Sequence, residues 1–219
     1  RYNAVLAERN RLLKTRPDET MLAIYDRQLI EHGEKIHAAR QTFTEQLQPV
    51  VTEYYRALSG DREQVELHYR SELNERSFEE VLQAARQKDM INEFTTSGIH
   101  RDDLVLRIGG LPLRKYGSQG QQKSFLIALK LAQYAVVAEA CNEKPVLLLD
   151  DLFDKLDAGR VAHLIQLVGN ECFGQIFITD CNPTRLKTIL DKAGSEYALF
   201  TVANGEVFPV NAADESKEA

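Results

Sequence analysis

The sequence has 219 residues, of which 43% are hydrophobic, and a formal net charge of −6 at pH 7. This length allows one large domain or two small ones with a packed core. The negative charge argues against a general nucleic-acid binder, so any DNA surface has to be a local patch. Three cysteines without a C-x-x-C pair favour free thiols over disulfides or a zinc site. Without a signal peptide or an apolar run approaching about 18 residues, we expect a cytoplasmic chain outside membranes.

The first 95 residues are predicted to form a helical arm domain. Apolar residues follow a helical spacing between residues 2 and 14, and a heptad stripe begins after Thr20. The stripe consists of Leu22, Leu29, Ile36, Phe43 and Val50. We expect Pro49 to end or kink this helix, and a second helix to continue to Gly60. Packing against neighbouring helices explains the stripe, and an arm that reaches a partner protein or DNA is the alternative.

Two further patterns lie in this arm. The segment from Val65 to Tyr69 alternates like a short strand. Ser77, followed by Glu80, forms a capping-box pattern at the start of another helix. His32 and His37 are five residues apart and do not share a helical face, so we expect both to face solvent and assign no metal to them.

The periodicity changes from helix to strand after residues 95–98, where we place the domain boundary. Leu104 to Ile108 alternates, Gly109-Gly110 makes a hairpin turn, and Leu111 to Leu113 returns. The preceding run from His100 to Asp103 has two explanations. One is turn chemistry in which an aspartate bonds backbone amides, and the other is a role near a nucleotide or between domains.

The densest excess of positive charge in this acidic chain lies around the hairpin. It is formed by Arg107, Arg114, Lys115 and Lys123. We expect Arg107 and Lys115 to lie opposite each other across the hairpin. Contact with DNA phosphates is one interpretation of this patch, and ordinary solvated surface is the alternative.

The stretch of residues 116–157 is the one around which the chain is organised. It opens with a polar turn that leads into a long helix from about Gln119. The start of such a helix presents free backbone N–H groups and a partial positive charge, which favour an anion. Gly117 and Gly120 let other backbone approach closely, and the Ser118 hydroxyl can donate to a phosphate oxygen. The alternative is a capped helix start without a ligand.

A strand with two carboxylates ends this stretch. Residues 146–149 form an uninterrupted apolar run, which is expected of a strand covered on both faces. Asp150 and Asp151 follow at its carboxyl end, where open α/β sheets bind ligands. Adjacent carboxylates at this position suit a hydrated Mg²⁺ beside a phosphate, because Mg²⁺ takes few protein ligands.

The rest of the chain alternates between helices and strands. Asp157 begins a helix, residues 175–179 form the next buried strand, and another helix follows. Asn204-Gly205 is a strong hairpin signal between the last two strands. Residues 211–219 are acidic and poor in apolar side chains, so we predict a disordered tail.

Three motifs in this order resemble those of an ABC-type ATPase. SQGQQ at residues 118–122, LLLDD ending at Asp151, and Leu156-Asp157 are similar to a signature motif, a Walker B motif and a D-loop. Together with HRDDL at residues 100–104, they are most similar to the RecF family of the SMC and Rad50 group. The resemblance implies an α/β fold. Residues 96–210 would be the C-terminal ATPase lobe, a mostly parallel sheet with flanking helices and hairpins, and residues 1–95 the helical arm.

The resemblance also implies roles for individual residues. In this family, ATP and Mg²⁺ would be bound between the two subunits of a homodimer. The signature residues that would contact the nucleotide across the dimer are Ser118, Gln119, Gly120 and Gln121. Asp150 would position Mg²⁺, Asp151 would act as the catalytic base on water, and Asp157 lies in the D-loop.

By the same resemblance, the whole protein is an ATP-dependent DNA-binding protein of replication, recombination and repair. Dimerisation on ATP would clamp DNA at gaps or single-strand/double-strand junctions, with recombination-mediator proteins as partners. Such an ATPase needs a P-loop, G-x-x-x-x-G-K-[ST], and this chain contains no Gly-Lys pair. We therefore expect the chain to be the C-terminal part of a longer ATPase, and not to hydrolyse ATP by itself.

Two residues depart from the common ABC pattern. Asp151 stands where a Glu is usual, and Asp180 stands at the position of the switch-loop His. Both changes suggest slow hydrolysis that suits a switch. Two alternative functions stay open, namely a scaffold or dimerisation module without chemistry, and an SMC-type or OLD-type ATPase outside repair.

Overall fold

A computed structural model of the chain describes residues 1–150, 156–170, 172–193 and 196–210. The chain divides into two compact units, Arg1–Ala140 and Cys141–Ala219. The predicted domain boundary near residue 95 lies inside the first unit, because strands on either side of it pair with each other. The predicted tail of residues 211–219 lies outside the described residues.

Three long helices begin the first unit. They are α1 (Tyr2–Leu13), α2 (Glu19–Ser59) and α3 (Phe78–Asn92). The Asp18 side chain caps α2 by accepting from the Met21 N–H, and Gly60 ends it in the left-handed conformation at φ 66°. The predicted capping box at Ser77 and Glu80 is confirmed at the start of α3.

Helix α2 runs without interruption through Pro49, so the predicted second helix after this residue is wrong. A proline inside a helix costs roughly 3 kcal/mol, because it removes one hydrogen bond and crowds the preceding turn. Leu47 and Val51, on either side of Pro49, are 3% and 1% exposed. Burying these two side chains offsets the cost of the proline, since each contributes on the order of 2 kcal/mol.

The buried face of α2 follows a longer period than the predicted heptad stripe. Leu22 and Leu29 are buried as predicted, but Phe43 is 45% exposed. The buried positions Leu22, Gly33, Thr44 and Tyr55 are spaced eleven residues apart. A straight helix drifts by about 20° per heptad, so an eleven-residue spacing keeps one face toward the core.

The core of the first unit lies between α1, α2 and α3. Its buried apolar residues are Tyr2, Leu29, Phe78, Val81, Leu82 and Ile99. Gly33 lets α2 approach α3 closely, because a Cβ at this position would lie 2.3 Å from the Phe78 ring. Intramolecular packing therefore explains Leu22, Leu29 and Ile36 of the apolar stripe, but not the exposed Phe43.

A three-stranded antiparallel sheet follows, with β2 in the middle. Strand β1 (Val65–Arg70) pairs with β2 (Asp103–Ile108), and β2 pairs with β3 (Leu111–Pro112). Gly109 and Gly110, at φ 53° and 76°, form the predicted hairpin turn. The return strand ends earlier than predicted, because Leu113 begins the short helix α4 (Leu113–Tyr116).

Helix α5 (Gln119–Cys141) begins where it was predicted. Its residues Phe125, Ala128, Leu131 and Ala132 are fully buried. By length and composition alone, α5 could cross a membrane. It reaches this length and composition without an unbroken apolar run of about 18 residues. A core helix of a soluble protein can have the same length and composition. The fully buried residues of α5 favour this interpretation.

The second unit contains a parallel pair of strands, two helices and a hairpin. Strand β4 (Leu147–Asp150) pairs with β5 (Ile176–Thr179), and the helices are α6 (Ala158–Val168) and α7 (Pro183–Ala193). The hairpin joins β6 (Phe200–Ala203) to β7 (Glu206–Pro209) through Asn204-Gly205, as predicted. Each unit contains both helices and strands, in agreement with the predicted α/β class.

Strand β4 is not covered on both faces in this chain, so this prediction is wrong. Leu147 and Leu149 are 8% and 6% exposed, whereas Leu148 between them is 70% exposed. Its neighbour Phe177 on β5 is 51% exposed, so strand β5 is not fully buried either. The strands are apolar on two faces, but only one face is covered within the described residues.

Candidate functional site

The start of α5 is held by a capping box made of Ser118 and Gln121. The Gln121 N–H donates to the Ser118 Oγ at 3.2 Å, and the Ser118 N–H donates to the Gln121 Oε1 at 2.7 Å. This arrangement satisfies two backbone donors that a helix start leaves open. The polar turn is therefore a capped helix start.

An anion can be bound at this helix start by groups that the cap does not use. Ser118 and Gln119 are exposed, and Gly120 is half-buried. The Ser118 hydroxyl oxygen accepts a hydrogen bond, so its O–H can still donate. The first N–H groups of α5 and the helix dipole add a partial positive charge. Gly117 plays a different part, since a Cβ there would lie 2.7 Å from the Leu113 carbonyl oxygen of α4.

The Gln121 side chain also contacts Glu63, a residue that sequence analysis did not identify. Its Nε2 donates to the Glu63 Oε1 at 3.0 Å, while the Tyr55 hydroxyl donates to the Glu63 Oε2. Both ends of the Gln121 amide are thus engaged within this chain. No local signal in the sequence marks Glu63, because the contact joins residues 58 positions apart.

In the second unit, Asp150 lies at the carboxyl end of β4. The parallel register places it beside Thr179 of β5, whose hydroxyl donates to the Asp150 Oδ1. Asp180 follows Thr179, and its Oδ1 accepts the N–H of Asn182 at 2.9 Å. Two carboxylates and one hydroxyl therefore follow two neighbouring parallel strands, which is where α/β sheets bind ligands.

Of the two aspartates predicted to serve as metal ligand and base, the structure describes Asp150. Asp151 lies outside the described residues. Among the residues that are described, no group of three or more His, Cys, Asp or Glu side chains is placed to hold a metal ion. Asp150 and Thr179 offer the oxygen atoms that Mg²⁺ prefers, and Mg²⁺ often keeps several waters, so the donor set fits it.

Asp157 of the predicted D-loop has a clear structural role. It is the N-cap of α6, where its Oδ1 accepts the Arg160 N–H at 2.9 Å, and its carboxylate pairs with the Arg160 side chain at 3.2 Å. The hydrogen bond from the Arg160 N–H lowers the pKa of Asp157. A role toward a nucleotide stays a prediction.

The run from His100 to Asp103 bonds mainly to side chains of the arm. Asp102 accepts from the Tyr69 hydroxyl and from Arg40 at 3.3 Å, and its side chain is only 4% exposed. His100 contacts the Tyr2 hydroxyl at 3.2 Å and the Thr95 carbonyl oxygen at 3.1 Å. Burial lowers the pKa of His100. These contacts differ from the predicted aspartate bonds to backbone amides.

The four basic residues do not form the predicted cross-strand pair. Arg107 lies opposite Pro112, because Lys115 belongs to helix α4 and not to the return strand. Arg107, Arg114 and Lys115 are exposed, and Lys123 is half-buried in the first turns of α5. The Lys115 Nζ lies 5.2 Å from the centre of the Tyr116 ring. DNA contact by this surface stays a prediction.

Cys141, Cys172 and Cys181 are exposed free thiols. The His37 Nε2 donates to the Asn74 Oδ1 at 2.9 Å. His37 and His32 are both half-buried. Both histidines were expected to face solvent, which describes them incompletely.

Curated proteins of high similarity share one description. The DNA replication and repair protein RecF of Parabacteroides distasonis is 45% identical over 210 residues, which are 95% of this chain and 58% of that protein. The protein with the same description from Bacteroides thetaiotaomicron is 43% identical over 209 residues, which are 94% and 57% of the two chains. The chain thus spans a little more than half the length of these relatives. No protein-family model matches the sequence.

Solved structures give the same result. The recombination mediator protein RecF-ATPrS in the RecFOR pathway superimposes with a TM-score of 0.75 at 29% identity, over 96% of this chain and 57% of that chain. The corresponding RecF-ATP structure superimposes with a TM-score of 0.75 at 28% identity. Both similarities extend over the arm and the motifs that follow it.

Proposed function

We propose that this chain, which is 45% identical to a RecF protein over 95% of its own length and spans 58% of that protein, supplies the signature motif of an ATP-dependent DNA repair protein. The observation that carries the proposal is the exposed start of α5, where the Ser118 hydroxyl and the first N–H groups can donate to an anion. In this proposal the anion is a phosphate of ATP bound by a second subunit.

The nucleotide is contacted by Ser118, Gln119 and Gly120 through donors only. The Ser118 O–H and the N–H groups of the first turn are donors that suit phosphate oxygens. Gln121 acts differently, since its amide is engaged by Ser118 and Glu63. It holds the turn in shape and does not reach the nucleotide in this arrangement. A phosphate cradle in cis has to come from a P-loop, which this sequence lacks.

The residues proposed to hold the metal ion lie in the second unit. Asp150 would hold Mg²⁺ through its carboxylate, and the Thr179 hydroxyl keeps that carboxylate in place. When bound, Mg²⁺ would neutralise charge on the phosphates. Asp151 is the proposed base that orients the attacking water, and Asp180 stands where a His would donate a hydrogen bond. A carboxylate at that position lacks the donor, which supports slow turnover.

Replacing Ser118 with Arg tests the proposal in a full-length protein that contains this chain and a P-loop segment. We expect Ser118→Arg to keep nucleotide binding by the single subunit, because the P-loop is in cis. ATP-dependent dimerisation should weaken by at least about tenfold, since a bulky side chain occupies the phosphate position. Analytical ultracentrifugation with a non-hydrolysable ATP analogue measures both states.

Ser77→Arg is the matched control for this experiment. Ser77 caps α3 by the same capping box, so both variants lose the same kind of helix cap, which is typically about 1 kcal/mol of stability. Ser77 lies outside the signature motif and should leave dimerisation unchanged. An undiminished ATP-dependent dimer of Ser118→Arg would remove Ser118 from the subunit interface and contradict the proposal.

DNA is the proposed polymer that the dimer holds, at gaps or single-strand/double-strand junctions, with recombination-mediator proteins as partners. Within this chain, Arg114 and Lys115 are exposed on α4, directly before the signature turn. If both contact phosphates, Arg114→Ala with Lys115→Ala should lower the salt dependence of duplex binding by roughly 0.9 per lost contact. An unchanged slope of log K against log salt would place the DNA on another surface.

A further inference from the structure

Glu63 lies between the end of α2 and the start of β1, and it connects both to the signature turn. Its two carboxylate oxygens accept from different elements, namely from Gln121 of α5 at 3.0 Å and from the Tyr55 hydroxyl of α2. The Gln121 amide then uses its other end to accept the Ser118 N–H at 2.7 Å. A continuous chain of hydrogen bonds therefore leads from α2 through Glu63 to Ser118.

The α2 end of this chain is rigidly held. Tyr55 is 0% exposed, and its ring packs against Phe125 of α5 with ring centres 5.8 Å apart. Phe125 lies one turn after Gln121 on α5 and is also fully buried. Tyr55 thus contacts α5 twice, once through its ring and once through Glu63. Two contacts one turn apart fix the rotation of the first turns of α5 relative to α2.

From these contacts we infer that Glu63 is a positioning residue that sets the orientation of the signature turn from the end of the arm helix. This inference rests on the proposed function of Ser118. Glu63 itself does not bind the nucleotide, because a carboxylate repels phosphate and both of its oxygens accept hydrogen bonds from protein donors. It acts through Gln121, which explains why this glutamine is engaged at both ends.

The test compares Glu63→Ala, Glu63→Gln and Gln121→Ala in the full-length protein. Glu63→Ala and Gln121→Ala should each weaken ATP-dependent dimerisation about tenfold, the effect of losing one hydrogen bond to a charged group. Nucleotide affinity of the single subunit should not change. Glu63→Gln should retain normal dimerisation, unlike Glu63→Ala. Its amide oxygen can accept from Gln121, and its amide N–H can donate to the Tyr55 hydroxyl.

The double variant Glu63→Ala with Gln121→Ala shows whether the effect passes through Gln121. In that case the double variant dimerises as weakly as either single variant. Glu66→Ala is the matched control, because Glu66 is also partly exposed but pairs with His68 on its own strand. It should dimerise like the unchanged protein. Gln121→Ala removes a half-buried surface side chain, so it keeps the test decisive if Glu63→Ala does not fold.

Failure of the inference and failure of the proposed function give different results. If Glu63→Ala and Gln121→Ala dimerise normally while Ser118→Arg does not, Glu63 has no positioning role and the proposed function stands. Additive losses in the double variant would likewise overturn the route through Gln121. If Ser118→Arg also dimerises normally, the proposed function falls and the inference falls with it.

Discussion

The long helix α2 is held by a polar network toward each end, and the two networks are built differently. Near its start, Arg9 of α1 is 0% exposed and pairs with Asp26 of α2 and Asp89 of α3, each at 2.7 Å. Near its end, Tyr55 and Gln121 donate to the half-buried Glu63. The first network contains three buried charges, whereas the second is built on the half-buried carboxylate of Glu63.

The buried network also holds the chain after α3. Arg9 donates to the Thr95 hydroxyl at 2.8 Å, and Asp89 accepts the N–H and the hydroxyl of Thr96, both at 2.7 Å. One guanidinium nitrogen of Arg9, Nη2, has no hydrogen-bond partner among the described residues. Removing one member of such a network leaves the others charged and desolvated, and that penalty is large.

Similar hydrogen bonds therefore have different effects at the two ends of α2. One network affects mainly stability, and the other affects mainly the position of the signature turn. Buried charges that pair across three helices are costly to unpair. The network at Glu63 is partly screened by water, so it contributes little to stability. It can nevertheless determine the position of a functional turn. Two substitutions, one at each end, separate these effects.

Replacing Arg9 with Met should have the larger effect on stability. Met fills a similar volume but leaves Asp89 without its cation and Asp26 with only the 3.4 Å contact to Arg86. Breaking a buried pair in this way costs about 3–5 kcal/mol. Urea unfolding monitored by circular dichroism gives the free energy of unfolding. Arg11→Met is the control, because Arg11 lies on the same helix with its side chain 76% exposed and should change stability by less than about 0.5 kcal/mol. Equal stabilities of the two variants would contradict a structural role for the buried network.

Replacing Tyr55 with Phe should have a smaller effect. The ring keeps its contact with Phe125 and the hydrogen bond to Glu63 is lost, so we expect a loss of about 1 kcal/mol. Tyr25→Phe on the same helix is the control, since its hydroxyl has no hydrogen bond among the described residues. If Tyr55→Phe destabilised the protein as strongly as Arg9→Met, the distinction between the two networks would be lost.

The local elements and the family could be predicted from the sequence because their signals are local. The capping box at Ser77 depends only on two residues three positions apart. Each of the turns at Gly109-Gly110 and Asn204-Gly205 depends only on two adjacent residues that adopt a positive φ. The order of the three motifs was likewise enough to identify the RecF family. For the same reason the start of α5 was placed correctly at Gln119.

Tertiary structure alone decided the features that depend on distant residues. Helix α2 continues through Pro49 because its flanking side chains are buried, and burial is not a local property. Arg9 has the sequence context of a surface arginine, and only three packed helices give it buried carboxylate partners. Glu63 reaches Gln121 across 58 positions because the end of α2 packs on α5. Periodicity and spacing describe single elements, whereas these contacts arise only when the elements pack together.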